Sequence, residues 1–257
     1  MNQINTDIEN QILSKDWFYS FKLPSGKQTG CYIGEKDSQI HDTRLQMMNS
    51  ALATHLPKQQ WEKTRCIDLA CHQGYYAFEL AKKNCEQVVG VDVRQQNVDD
   101  ANMLLKAYSY NNMQFIVEDI FNLDTEALQT FDVVLVLGLL YHLENPIGAL
   151  RIAKKLTKKI CLIESQIGPN ISWQVDWGNP WTQKQIMGTF SVVGEEYEHK
   201  VHREANLKNI SLVPSLEALT WILKTIGFTR VEIITPPENA YEQLSTGNRI
   251  MLAAIID

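Results

Sequence analysis

The fold of this chain is decided by the stretch Ile67-Asp68-Leu69-Ala70-Cys71-His72-Gln73-Gly74-Tyr75-Tyr76. This pattern is typical of a short apolar strand that ends in an acid, followed by a tight turn and by a helix that Gly74 opens. Such a turn lets the backbone approach a ligand closely, and the helix N-terminus offers free N–H groups. Asp92 ends the next predicted strand, where an acid can accept hydrogen bonds from a ribose diol. The turn and the acid together predict a site for a nucleoside-containing ligand.

Strands and helices alternate along the chain around this stretch. Strands are predicted over 65–70, 87–93, 113–118, 131–137 and 159–164, with helices over 75–83 and 96–108 and another from Pro146. The run 131–137 is continuous and apolar, as expected of a central parallel strand that is covered on both faces. The β-α-β alternation predicts an α/β fold with a doubly wound, mostly parallel sheet.

The regions outside this alternation predict a cap and a lid within one domain, 1–257. Residues 1–56 form the cap: an irregular lead-in to about residue 40, then a helix from Asp42 to Leu56. The alternation of strands and helices is interrupted by the insertion 165–212. An insertion of this length at the edge of a parallel sheet is usually a binding element. The insertion contains Trp173, Trp177 and Trp181, which either stack on a planar substrate or form a small core of their own.

The end of the chain departs from a plain nucleotide-binding fold. A helix is predicted over 214–226, followed by two strands over 228–234 and 249–256 that a Pro-Pro-containing loop joins. A plain nucleotide-binding fold would continue the β-α-β alternation here, so the closing strand pair is informative.

Composition narrows the class of protein. The 257 residues carry a formal net charge of −6, which argues against nucleic-acid binding through a basic field but leaves a local site open. The dense basic segment 151–159 is best explained as the solvated face of a helix. No apolar run approaches the roughly 20 residues of a membrane span, and five cysteines lack a disulfide or zinc pattern. We therefore expect a reduced, cytoplasmic monomer or homodimer without a metal.

Two ligands compete for the turn after the first strand. A nicotinamide dinucleotide needs G-x-G-x-x-G so that its pyrophosphate can lie against bare backbone. Ala70, His72 and Tyr75 occupy those positions here and would crowd a diphosphate. S-adenosylmethionine carries no phosphate and tolerates a less open turn, so the residues favour it.

From Arg65 onwards the chain resembles the class I S-adenosylmethionine-dependent methyltransferases. The segment 68–74 is similar to their D-x-G-x-G-x-G loop, with Ala70 and His72 in place of the first two glycines. Asp92 matches the ribose-binding acid, and 118–120 matches the segment that flanks adenine. The final strand pair matches the reversed seventh strand of the family. The resemblance therefore implies a seven-stranded sheet in the order 3-2-1-4-5-7-6, with strand 7 antiparallel.

Within that superfamily, the segments 140–142 and 248–250 look most like enzymes related to the tRNA wobble-uridine carboxymethyl-transferring enzyme. The resemblance implies a set of cofactor-binding residues: Asp68, Ala70, Gly74, Asp92, Asp119, Ile120, Leu137 and Tyr141. It places Arg249 near the methionine end of the cofactor or near the substrate. The lysine–tryptophan set with which that enzyme reads a carboxylated cofactor has no counterpart between Trp17 and Trp61, which argues against that cofactor and against tRNA.

Three residues are predicted to serve catalysis: His142, Tyr141 and Arg249. His142 follows the fourth strand, where the open end of the sheet meets substrate, and a packing role there remains an equal alternative. Arg249 either binds a carboxylate or carries its charge to solvent over an apolar stem. Arg44 could close over the methionyl carboxylate together with His41, although a solvated arginine is the default. His199 and His202 are best explained as surface-loop histidines.

The sequence thus predicts an S-adenosylmethionine-dependent methyltransferase that acts on an oxygen or nitrogen of a small-molecule acceptor. The donor is already activated, so the protein mainly supplies alignment and exclusion of water. Two alternatives stay open: a tRNA-modifying methyl- or carboxymethyltransferase, and a regulatory protein that binds the cofactor without transferring anything.

Overall fold

The computed structural model describes residues 3–171, 174–175, 184–194 and 210–257. The strands in chain order are β1 Arg65–Leu69, β2 Gln87–Asp92, β3 Met113–Val117, β4 Phe131–Leu137, β5 Thr157–Gln166, β6 Gln174–Val175, β7 Lys184–Gln185, β8 Phe190–Gly194, β9 Ile210–Pro214, β10 Arg230–Ile233 and β11 Arg249–Ile255. The helices are α1 Gln3–Leu13, α2 Glu35–His55, α3 Tyr75–Ala81, α4 Gln95–Tyr108, α5 Thr125–Leu128, α6 Pro146–Leu156, α7 Leu216–Thr225 and α8 Glu242–Ser245. Short 3-10 helices cover Trp61–Lys63, Ile120–Asn122 and Leu140–His142.

A seven-stranded sheet organises the molecule. Its strand order is β10-β11-β5-β4-β1-β2-β3, and the five strands from β1 to β5 run parallel. β11 pairs antiparallel with both β5 and β10. Counting only the strands of this sheet, the order is 3-2-1-4-5-7-6 with strand 7 antiparallel. The predicted fold class is therefore confirmed.

The sheet is covered on both faces, which explains the continuous apolar run in β4. All seven residues of β4 are buried. Val133 and Leu135 face the core formed with α3 and α4, whereas Val134 and Val136 face the core formed with α6 and α7. Because side chains alternate across a strand, both sets must be apolar when both faces are covered.

The N-terminal region differs from the prediction in two places. The lead-in is not irregular throughout, because α1 spans Gln3–Leu13 and buries Ile12 in the core. The next helix starts at Glu35 rather than at Asp42, with Gly34 as its N-cap. Glu35 and Asp37 occupy its first turn, where acidic side chains interact favourably with the helix dipole. Asp42 resembles a cap in sequence but is an exposed residue inside the helix.

The insertion 165–212 is described only in part. β5 runs on to Gln166, β6 pairs with β7, and β8 pairs with β9. The backbone N–H of Leu212 donates to the carbonyl of Leu143 over 2.9 Å, which ties β9 to the segment that follows β4. The three tryptophans of the insertion, as well as His199 and His202, lie outside the described residues. Among the helices that the structure describes, none has the length and apolar character needed to cross a bilayer.

Candidate functional site

A cavity of about 560 Å³ opens at the carboxyl ends of β1, β2, β3 and β4. This volume lies within the roughly 300–1,000 Å³ that small-molecule sites occupy. Seven of the residues predicted from sequence line it: Ala70, Asp92, Asp119, Ile120, Leu137, Tyr141 and His142. Asp68, Gly74 and Arg249 are not among the lining residues that the structure describes. The fold thus gathers most of the predicted site around one hollow, at the switch point between β1 and β4.

The turn after β1 keeps the backbone conformation of a glycine-rich loop, although Ala70 and His72 replace the first two glycines. Ala70 has a φ of 61° and His72 a φ of 52°, so both adopt the left-handed conformation that favours glycine. Gly74 has a φ of 84°, and a Cβ there would lie 2.7 Å from the ring of Phe115. The backbone path of the loop is therefore preserved, and the side chains of Ala70 and His72 instead line the cavity.

Asp92 holds this turn in place from the end of β2. Its Oδ2 accepts a hydrogen bond from the backbone N–H of His72 over 2.9 Å. Its Oδ1 accepts bonds from the N–H of Arg94 over 2.9 Å and from the amide of Asn97 over 3.0 Å. These bonds fix the orientation of a carboxylate that is only 5% exposed and lies in the cavity wall.

Asp68 lies beneath the turn rather than in the cavity. Its side chain is 2% exposed. Burial raises the pKa of this carboxyl to about 8, the negative charge of Asp92 adds to the rise, and a hydrogen bond from the backbone N–H of Ala77 opposes it. Asp68 therefore anchors the start of α3. It belongs to the predicted cofactor-binding set, but it does not line the cavity.

A second acidic segment follows β3. The backbone N–H of Glu118 donates to the carbonyl of Asp92 over 3.1 Å, which joins the ends of β2 and β3. Asp119 caps the 3-10 helix that follows, and its Oδ1 accepts the N–H of Phe121 over 3.0 Å. This end of the cavity therefore combines acceptors with the apolar side chains of Ile120 and Phe121.

The exit of β4 forms the opposite end of the cavity. Gly138 has a φ of 74°, and its N–H donates to the carbonyl of Glu164 on β5 over 3.1 Å. Tyr141 is buried and His142 is partly buried, with ring centroids 4.3 Å apart. The chain turns here through a 3-10 helix, so consecutive side chains reach the same hollow.

Arg249 lies on β11, which pairs with β5 and β10. Its guanidinium carbon lies 4.6 Å from the centroid of the Tyr141 ring. Nη1 is 3.2 Å from Oε1 of Glu164, and Nε donates to Oε1 of Gln243 over 2.6 Å. Arg249 is only 8% exposed, so it does not carry its charge to solvent.

Arg44 is buried, so its default interpretation as a solvated residue is wrong. Its side chain is 7% exposed, it lines the cavity, and Nη2 lies 2.7 Å from Oε2 of Glu164. The neighbouring His41 is also buried, and burial together with the charge of Arg44 lowers its pKa to about 3. A charged residue at the end of β5, Glu164, was the signal in the sequence that a cationic partner must lie nearby.

The aromatic lead-in supplies another wall that the sequence left unspecified. Phe18 and Tyr19 line the cavity, and the Phe18 ring centroid lies 5.0 Å from that of His72. The N–H of Phe18 donates to Oε1 of Gln73 over 2.9 Å, which attaches the lead-in to the turn after β1. No cluster of three or more metal-ligand side chains occurs within the described part of the chain.

The sequence model of a family described as a methyltransferase domain matches residues 61–209. The chain belongs to this family. A curated relative named tRNA U34 carboxymethyltransferase, from Pseudomonas savastanoi pv. phaseolicola, is 26% identical over 191 residues, which cover 70% of this chain and 50% of the relative. A protein of the same name from Alteromonas mediterranea is 26% identical over 175 residues, covering 65% and 46%. This methyltransferase therefore spans about half the length of the curated relatives it matches.

Solved structures share the fold of this methyltransferase. The N-terminal domain of EvdMO1 with SAH bound superimposes with a TM-score of 0.70 at 18% identity, covering all of this chain and 98% of that one. Magnesium protoporphyrin IX methyltransferase (ChlM) from Synechocystis PCC 6803, with bound SAH, gives 0.57 at 15% identity, covering 100% and 96%. The prediction of a class I methyltransferase is confirmed by the family match and by this fold.

Proposed function

We propose that this enzyme methylates an oxygen or nitrogen atom of a small molecule. The single observation that carries the proposal is the cavity, which places Asp92 and Asp119 at one end and Tyr141 and His142 at the other. One end thus offers groups for a nucleoside, and the other offers groups for the reacting atoms. Its methyl donor is S-adenosylmethionine, in keeping with the family and with neighbours crystallised with SAH or SAM.

The residues of the cavity fit this donor. The fixed carboxylate of Asp92 suits a ribose diol, and the apolar side chain of Ile120 beside Asp119 suits a purine ring. Ala70 and His72 keep the backbone turn but fill the space that a pyrophosphate would need. Arg44 offers a buried cation to an amino-acid carboxylate. When bound, the donor supplies a methyl group on a sulfonium that needs no further activation.

The chain's own contribution is alignment, exclusion of water and, for some acceptors, removal of a proton. Phe18 and Tyr19 cover the cavity from the side of the lead-in. Holding two reactants in line supplies a large part of the rate enhancement in a displacement of this kind. His142 lines the exit of β4 and would accept the proton of a hydroxyl or of an unactivated nitrogen at its imidazole. Tyr141 packs against His142 and limits its orientation.

Two observations support a small acceptor. The net charge of −6 does not favour an extended phosphate backbone, and structural neighbours include a magnesium protoporphyrin IX methyltransferase and a domain crystallised in the presence of SAH and D-fucose. A screen of hydroxylated, carboxylated and amine-containing small molecules with isotopically labelled S-adenosylmethionine tests the proposal. We expect labelled methyl in one acceptor class and S-adenosylhomocysteine in equal amount.

A tRNA substrate is the second candidate, because the curated relatives are named tRNA U34 carboxymethyltransferase. Affinity for bulk tRNA that falls steeply with salt would favour it over the small acceptor. Binding of S-adenosylhomocysteine without turnover in any acceptor class, tRNA included, would instead indicate a regulatory protein.

A further inference from the structure

Three buried side chains meet at the floor of the cavity and form a chain of ion pairs. Glu164 is fully buried and lies between Arg44 on α2 and Arg249 on β11. Its Oε2 is 2.7 Å from Nη2 of Arg44, and its Oε1 is 3.2 Å from Nη1 of Arg249. Among the described residues, Glu164 is the carboxylate that both arginines contact. Arg44 lines the cavity, and Arg249 does not.

The charges of this cluster do not cancel. Two guanidiniums share one carboxylate, and the two arginine side chains are only 7% and 9% exposed. A buried positive charge without a counter-charge is costly, so an anion on the occupant of the cavity would stabilise the cluster. The neighbouring His41 does not add to this charge, because burial keeps its imidazole neutral. Arg44 is the member through which the excess charge reaches the occupant.

We propose that Arg249 is a positioning residue that shares Glu164 with Arg44 and thereby leaves Arg44 with a positive charge that selects a carboxylate on the occupant. Without Arg249, Glu164 would neutralise Arg44, and the floor of the cavity would lose its excess charge. The inference rests on the proposed function, because a carboxylate enters this cavity either on the amino-acid end of the donor or on the acceptor. The expected signature is a binding preference that depends on a residue outside the cavity.

The test compares S-adenosylhomocysteine with its decarboxylated analogue by calorimetry. We expect the wild-type protein to prefer S-adenosylhomocysteine by about tenfold, which corresponds to about 1.4 kcal/mol. Arg249→Gln should reduce this preference to less than about threefold, and Arg249→Lys, which keeps the charge, should restore most of it. Adenosine lacks the amino-acid end, so all variants should bind it with unchanged affinity. This unchanged affinity shows that the variants are folded.

A second arm distinguishes the two sources of the carboxylate. Acetate is titrated into the protein saturated with either nucleoside. If the donor supplies the carboxylate, acetate should bind only to the complex with the decarboxylated analogue. If the acceptor supplies it, acetate should bind equally to both complexes, and Arg249→Gln should abolish this binding in either case.

Arg230→Gln is the matched control, since Arg230 lies on the neighbouring strand β10 and forms exposed ion pairs with Asp257 and Glu232. It should change neither the nucleoside preference nor the binding of acetate. Nucleoside preference and acetate binding that are both insensitive to Arg249→Gln would overturn this inference alone. Failure of the wild-type protein to bind S-adenosylhomocysteine would overturn the proposed function as well.

Discussion

Replacing Asp92 tests the assignment of the nucleoside end of the cavity. The carboxylate of Asp92 holds the turn after β1 and lies in the cavity wall, so Asp92→Ala removes an internal anchor together with the proposed contact to the ribose. A hydrogen bond to a charged group contributes about 1.5–3 kcal/mol. We therefore expect the affinity for S-adenosylhomocysteine to fall by about 10- to 150-fold, since each 1.4 kcal/mol is about tenfold.

Asn97→Ala serves as the control, because Asn97 binds Oδ1 of Asp92 over 3.0 Å and does not line the cavity. Asn97→Ala should weaken the anchoring of the turn but preserve most of the affinity for S-adenosylhomocysteine. A cycle that combines Asp92→Ala with removal of the ribose hydroxyls from the ligand then isolates the contact with the ribose. The wild-type protein should bind adenosine more tightly than 2′,3′-dideoxyadenosine, and Asp92→Ala should bind the two equally. If calorimetry gave the same ratio for both proteins, Asp92 would only hold the turn, and the nucleoside end would be misassigned.

Three further predictions concern the turn, the buried acid and His142, the proposed base. Gly74→Ala should destabilise the protein by about 1–3 kcal/mol more than Gly26→Ala in urea unfolding, because both positions have a positive φ but only a Cβ at Gly74 meets a ring, that of Phe115. Burial raises the pKa of Asp68 to about 8, so as pH rises from about 4 to 8 its ionisation costs stability in the wild-type protein. Asp68→Asn should therefore be more stable than wild type by about 1 kcal/mol or more at pH 8 and gain little at pH 4; equal stability at both pH values would contradict the shift. His142→Asn should lower turnover with the true acceptor, leave the affinity for S-adenosylhomocysteine nearly unchanged and remove the acidic limb of the pH–rate profile; wild-type rates would mean that the transfer needs no base at this position.

Local pattern was enough to predict a doubly wound, mostly parallel sheet, whereas the strand order was implied by the family resemblance. The apolar run of β4, the acid and turn after β1, and Asp92 at the end of β2 all act within a few residues, and all three lie where the sequence indicated. The start of α2 was misjudged because Asp42 has the chemistry of a cap, whereas Gly34 caps this helix without a side-chain bond. Rules for side-chain caps cannot detect a helix that begins in this way.

The floor of the cavity could not be predicted in the same way. Arg44, Glu164 and Arg249 belong to α2, β5 and β11, and only the complete sheet order brings them together. Each residue alone has an ordinary explanation at the surface, so the sequence favoured a solvated Arg44. The informative sign was an acid directly after the apolar run 160–163, because a buried carboxylate requires a partner of opposite charge. Which cation serves as the partner depends on contacts distant in sequence.

The spacing of these three residues also affects how the enzyme is made. A ribosome releases Arg44 early, Glu164 much later and Arg249 after both. Contacts between residues so far apart form late, since the intervening chain must first be ordered. A nascent chain that has already paired β1 to β5 therefore holds Glu164 with at most one arginine. The charge of the cavity floor is set only when β11 is inserted between β5 and β10.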